Sequence, residues 1–179
     1  YVELAENLGG CFIDLMSGRY MINPLEPKTW DEGGSPEDTD APQAFHESTK
    51  LSQHISFLKD FFRCYKDFSD RHIDAIEIML GKLYEKHGIS DILSDLYGFI
   101  ENEYKSYDKT KHQLYTAELL QEILLGLHSM CMGAESKFFN GHTNVTSDRF
   151  IVFGVKGLLQ ASKNVKNALL FNVLSFMSD

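Results

Sequence analysis

GGCFIDLMSGRYMINPLEP, residues 9–27, is the stretch whose reading decides how this chain is built. It holds two short apolar runs, residues 11–15 and 20–22, on either side of a Ser17-Gly18 turn. Both runs read as short strands, and together they form a hairpin. Asn23-Pro24 then ends the second strand abruptly. Proline fixes its own φ and pushes the preceding residue out of the α region.

Working outward, all four prolines fall before residue 43. Residues 26–42 are acidic, carry Gly33-Gly34 and lack apolar periodicity, as expected of an ordered loop or a mobile connector. From Phe45 the pattern becomes helical. Leu51, Ile55, Leu58, Phe62 and Tyr65 recur at gaps of four and three and share one face. Phe57 and Phe61 fall beside that stripe, where they would offer a contact surface to another domain or subunit. Ser69 is an N-cap for a second helix, with Phe68 and Ile73 at its staple positions. Ile73, Ile76, Leu80, Leu83 and Tyr84 form its buried stripe, and Gly88 suits its C-terminal stop. A third helix from about Asp91 aligns Ile92, Leu96, Ile100 and Tyr104. A fourth, over residues 112–132, is the most apolar, with Leu114, Leu119, Leu120, Ile123, Leu124, Leu127 and Met130, and suits the centre of a bundle.

The pattern then reverts. Phe139-Asn140-Gly141-His142-Thr143 reads as a turn. Residues 150–155, FIVFGV, are a continuous apolar run, as in a strand buried on both faces of a parallel sheet. A last helix places Val165, Ala168, Leu169, Val173 and Phe176 inward. A doubly buried strand needs neighbours this chain hardly supplies. The expectation is a mainly α chain of four to five helices with a few short strands. Its helices would be an insertion bracketed by strands of a larger α/β core. The divisions are residues 1–44 (core-derived strands and connector), 45–133 (all-α subdomain) and 134–179 (return turn, strand and helix of the core). The ends, at Tyr1 within a helical pattern and at Asp179 on the last turn of another, read as those of a piece of a larger protein.

The 179 residues, 43% hydrophobic and 24% charged, fit a globular domain with a real core. A net charge of −9 argues against a broad nucleic-acid face, which needs clustered Lys and Arg. No 18-residue apolar run or leader pattern occurs. Cys11, Cys64 and Cys131 are odd in number and widely spaced, which fits a reducing cytoplasm.

Candidate chemistry is sparse. Gly154-Val155-Lys156-Gly157 follows a strand and precedes a helix, but a phosphate loop needs GxxxxGK[ST], and here Lys precedes its glycine. No apolar run ends in Asp-Glu. His46 and His54 are eight apart and no ExxH spacing occurs, so no metal site is expected. Glu118 and Glu122, without His partners, read as a solvated face. Cys64 and Cys131 sit in helical patterns as small core residues. Ser17, Ser129 and Ser136 have no base. No catalytic or cofactor-binding residue is assigned.

Three motifs together carry a resemblance: Gly9-Gly10 with Ile13-Asp14-Leu15 and Ile22-Asn23-Pro24-Leu25; the turn at residues 139–143; and the strand–helix end at residues 149–176. In these the chain resembles the conjugative-transfer ATPases of type IV secretion, the VirB/TraE-like family. That family shows a GG turn, a strand ending DLS, then INPL or NPF, later FxGxT and RF-VFD. It often has Asp where Gly154 stands, and a longer connector than residues 88–90 between the second and third helices. Either that loop is short here or a segment is missing.

The resemblance implies an internal fragment between the Walker A and Walker B motifs of a RecA-like P-loop ATPase. The parent would use ATP and magnesium at the inner face of the bacterial membrane. It would work as a hexamer with other type IV secretion components, powering DNA or protein transfer or channel assembly. The fragment itself would hold no nucleotide and no metal, would be inactive alone, and would serve coupling or subunit contacts. Asn23 and Pro24 are either a structural exit turn or a joint that transmits nucleotide state. Arg149 is either a salt-bridge residue or an arginine acting across a subunit boundary. The alternative is a stand-alone all-α interaction domain with no enzyme attached.

Overall fold

In a computed structural model the chain is described over residues 11–14, 21–27, 43–111, 113–145, 151–154 and 162–177. The protein is mainly helical. In chain order the elements are β1 (Cys11–Asp14), α1 (Gln43–Tyr65), α2 (Asp70–His87), α3 (Leu93–Lys105), α4 (Ala117–Cys131), α5 (Ser136–Phe139), β2 (Ile151–Gly154) and α6 (Lys163–Met177).

The two strands pair with each other in parallel, Cys11 opposite Ile151 and Asp14 opposite Gly154. This overturns the expected hairpin. Met21 and Ile22 lie outside any strand, and β1 takes its partner from 140 residues downstream instead. A parallel pair needs a long crossover, and the helices supply it. The Ser17-Gly18 turn, most of the acidic connector and Arg149 fall outside the described residues.

Several helix ends are set by local bonds. Ser69 Oγ accepts from the His72 N–H at 3.3 Å, and His72 Nδ1 accepts from the Ser69 N–H at 3.1 Å. This is a capping box with imidazole in place of the usual Glu. Gly88, at φ 81°, takes a positive-φ conformation that favours glycine and ends α2, its N–H bonded to Tyr84 O at 2.9 Å. Thr116 caps α4 by accepting from Leu119 N–H at 3.1 Å. The fourth helix thus begins five residues later than the periodicity suggests. Leu114, expected in its buried stripe, precedes the cap and is 89% exposed.

Among the described residues the core joins the five long helices. Leu58, Phe62 and Tyr65 of α1 share one buried cluster with Ile73, Ile76, Met79, Leu80 and Leu83 of α2, Leu96 and Ile100 of α3, and the α4 stripe from Leu119 to Met130. Each such side chain contributes about 1.5–3 kcal/mol by leaving water. The buried face of α1 is wider than its main stripe. Phe61 is 0% exposed, with its ring 5.3 Å from Phe62 and 5.8 Å from Phe139. It is therefore a core residue, not a surface for a partner. Phe57 is half-buried and stacks on Phe171 of α6 at 5.3 Å, so the neighbour it meets is the last helix of its own chain. Within α4, Gly126 lies against the Phe68 ring, and a Cβ there would sit 2.7 Å from Phe68 Cε1.

Candidate coupling site

Residues 21–27 carry Asn23 and Pro24 and lie among the helices with no regular structure of their own. Their conformation follows from their composition. Pro24 occupies the second position of a turn closed by Glu26 N–H to Asn23 O at 3.2 Å, the place its fixed φ favours. The Asn23 side chain reinforces it, its Oδ1 accepting from the Leu25 N–H at 3.1 Å. Leu25 is then driven fully into the helical core.

Five other parts of the chain hold this turn. The Asn23 N–H donates to Thr143 Oγ1 at 2.8 Å, and Asn23 Nδ2 donates to Asp91 O at 3.0 Å. His54 Nε2 of α1 lies 2.9 Å from Pro24 O. The Tyr84 hydroxyl of α2 donates to Leu25 O at 2.6 Å. Asn172 Nδ2 of α6 donates to Ile22 O at 2.9 Å. Met21 N–H donates to Asn144 Oδ1 at 2.7 Å, and Asn144 N–H returns a bond to Met21 O at 3.0 Å. Asn23 is 3% exposed, and a buried amide is tolerated only when its donors and acceptors are met in this way.

The electrostatics fit a locked rather than a reactive site. Burial, and then the Asp91 carboxylate, raise the Tyr84 pKa, so its hydroxyl stays a donor. Asp91 is anchored by His87 Nδ1 at 2.7 Å, which ties the turn to the end of α2. A second path leads from the turn to α6, from Pro24 O through the His54 ring to Phe57 and Phe171, with ring centroids 5.4 Å and 5.3 Å apart.

Elsewhere the structure adds a pairing that spacing alone does not suggest. Glu122 does have a histidine partner. His72 Nε2 lies 2.8 Å from its Oε2, across 50 residues. Burial pushes the Cys131 thiol up to about 12, and raises Cys64 more modestly with help from Asp60, so neither is a thiolate nucleophile at neutral pH. Among the described residues no group of three or more His, Cys, Asp or Glu is placed to hold a metal, and no helix is long and apolar enough to cross a membrane.

No family model matches the chain, and no curated protein does. A solved structure does, that of VirB4 of Thermoanaerobacter pseudethanolicus, with a TM-score of 0.73 and 28% sequence identity over 98% of this chain. The chain is similar to VirB4. It spans 63% of that VirB4 chain. The resemblance carried by residues 9–27, 139–143 and 149–176 thus finds its counterpart in the fold. The likeness to VirB4 takes in almost the whole chain.

Proposed function

We propose that this chain is a portion of a type IV secretion ATPase, and that its turn at residues 21–27 couples the ATPase core to the helices. The observation that carries the proposal is that one seven-residue turn exchanges hydrogen bonds with α1, α2, the α2–α3 loop, the turn after α5 and α6. The likeness to VirB4 supports the ATPase setting.

In this reading residues 1–44 and 134–179 belong to a RecA-like core, and residues 45–133 are the helical insertion. ATP and magnesium are held by parts of the parent on either side of this chain. The parent works as a hexamer at the inner face of the membrane with other type IV secretion components, in conjugative DNA transfer, protein transfer or channel assembly. Asn23 and Pro24 are the joint. A rigid, fully bonded turn passes a displacement on rather than absorbing it, since packed interiors switch between discrete arrangements. The likeness to VirB4 favours this over a stand-alone helical interaction domain.

The test is Asn23→Asp in the parent protein. It keeps the acceptor for Leu25 N–H and removes the donor to Asp91 O. ATP binding is expected to persist while hydrolysis, or its stimulation by partner components, falls. Unchanged turnover with unchanged stimulation would refute the coupling role. This chain by itself is expected to show background magnesium–ATP hydrolysis, and clear turnover would overturn the assignment of its chemistry to the flanking parts.

A further inference from the structure

Asn140 is the one asparagine of this sequence that precedes a glycine. Two separate packing demands put the pair there. Helix α3 begins after Ile92, which has no side-chain cap to offer, so the orphan N–H of Ser94 is met from outside by Asn140 Oδ1 at 2.8 Å. Gly141 packs against the turn at residues 21–27, where a Cβ would stand 3.1 Å from Met21 Cγ and 3.3 Å from its Cε. One neighbour requires a short acceptor side chain at 140, and the other favours a residue without Cβ at 141. Together they create a dipeptide whose second nitrogen has no side chain to shield it.

We propose that Asn140 is a site of spontaneous deamidation, gated by its bond to the start of α3. In the reaction the Gly141 nitrogen attacks Asn140 Cγ, forming an N–Cγ bond. The Cγ–Nδ2 bond breaks, and Nδ2 leaves as ammonia with the amide proton. Water then opens the cyclic imide at either carbonyl, giving Asp or isoaspartate, with no oxidant or reductant. Both residues are half-buried, so water has access. In the folded chain Ser94 pins Oδ1, and the Asn140 N–H donates to Ser136 O at 2.7 Å, so ring closure waits for the cap to open. The two products act oppositely. Asp keeps the acceptor and places a negative charge at the start of α3, where the helix dipole favours it. Isoaspartate lengthens the main chain by one carbon just before Thr143, the partner of Asn23.

The experiment incubates the intact protein at mildly alkaline pH in oxygen-18 water and maps incorporation by peptide mass. Incorporation is expected to concentrate at residue 140. It should run about tenfold slower in the folded protein than in urea, the factor that about 1.4 kcal/mol of local opening supplies. Ser94→Pro removes the donor at a first-turn position that tolerates proline. It should bring the folded rate close to the urea rate with helical circular dichroism intact. Asn140→Asp, made directly, should protect the Ser94 amide from hydrogen exchange at least as well as Asn140 does. Equal rates folded and in urea, or an unchanged rate in a helical Ser94→Pro protein, would overturn the proposal. Should Ser94→Pro fail to fold, the folded-versus-urea ratio and the exchange of Ser94 in Asn140→Asp decide it alone.

Discussion

The helical core and the turn at residues 21–27 are both buried, but they are held by different physics. The core rests on apolar area, contributed by side chains that share faces at helical spacing. The turn rests on directional bonds, one polar atom at a time. Apolar packing is distributed, so a defect is averaged over the whole bundle. A hydrogen-bonded turn is discrete, and removing one partner strands another in a place water does not reach. The core therefore sets how stable the fold is, and the turn sets how the helices are positioned relative to one another.

Substitutions can break or sharpen that contrast. Phe61→Ala, at the centre of the aromatic cluster, is expected to cost about 3–5 kcal/mol in urea unfolding. A loss under 1 kcal/mol would mean that the cluster is not a core. Asn23→Ala is expected to cost about 2–3 kcal/mol, because Asp91 O and Leu25 N–H both lose their partner. Its signature is local. Amide exchange should rise at Leu25, with α2 and α4 protected as before. A uniform rise across all helices would erase the distinction drawn above.

Tyr84→Phe is expected to cost about 1–2 kcal/mol by orphaning Leu25 O. It also changes the alkaline limb. Burial raises the folded pKa of Tyr84 and of Tyr65 above the ordinary tyrosine value of 10.0. The native state then holds protons that the unfolded chain releases. Stability contributed by these groups is full below that value and is lost as the pH rises beyond it. Unfolding free energy measured between pH 8 and about 11 should fall less steeply in Tyr84→Phe than in the unmodified protein, and parallel curves would disprove the linkage. Asn140→Ala removes a helix cap and should cost about 1 kcal/mol, read from the melting temperature. Leu114→Ser, on an exposed loop before the Thr116 cap, should fall within about 0.5 kcal/mol of no effect. A larger loss would place Leu114 in a core after all.

The helices were legible because their information is local. The α1 and α2 stripes, the Ser69 cap and the Gly88 stop can each be read within a few residues, and each stands where the periodicity predicts. The start of α4 is harder to read, because Leu114 is apolar and in phase, while the Thr116 hydroxyl, not hydrophobicity, sets the boundary. The partner of β1 is hidden for another reason. Two adjacent apolar runs suggest each other, but β1 pairs with a strand far along the chain, and short strands carry no mark of their partner. Phe61 lies beside the main stripe of α1, and its burial comes from tertiary neighbours such as Phe139 of α5, which the spacing within α1 does not show. The sequence marked Asn23-Pro24 as a special place. It could not reveal the bonds that hold it, since His54, Tyr84, Asp91, Thr143 and Asn172 are ordinary polar residues within their own elements. The His72–Glu122 pair was hidden in the same way.

The bond from Asn172 to Ile22 bears on how the molecule assembles. It joins residues 150 apart, and the bonds to Thr143 and Asn144 span 120 and 123. Closing loops of that length costs entropy that is recovered only when the distant groups are already in place. The helices, built from near neighbours, can form early, whereas the turn has nothing to dock on until α1, α2 and α6 have met. It is therefore a late arrival in folding. A chain stopped before α6 would lose one wall of its core and, with it, the Asn172 end of the clasp.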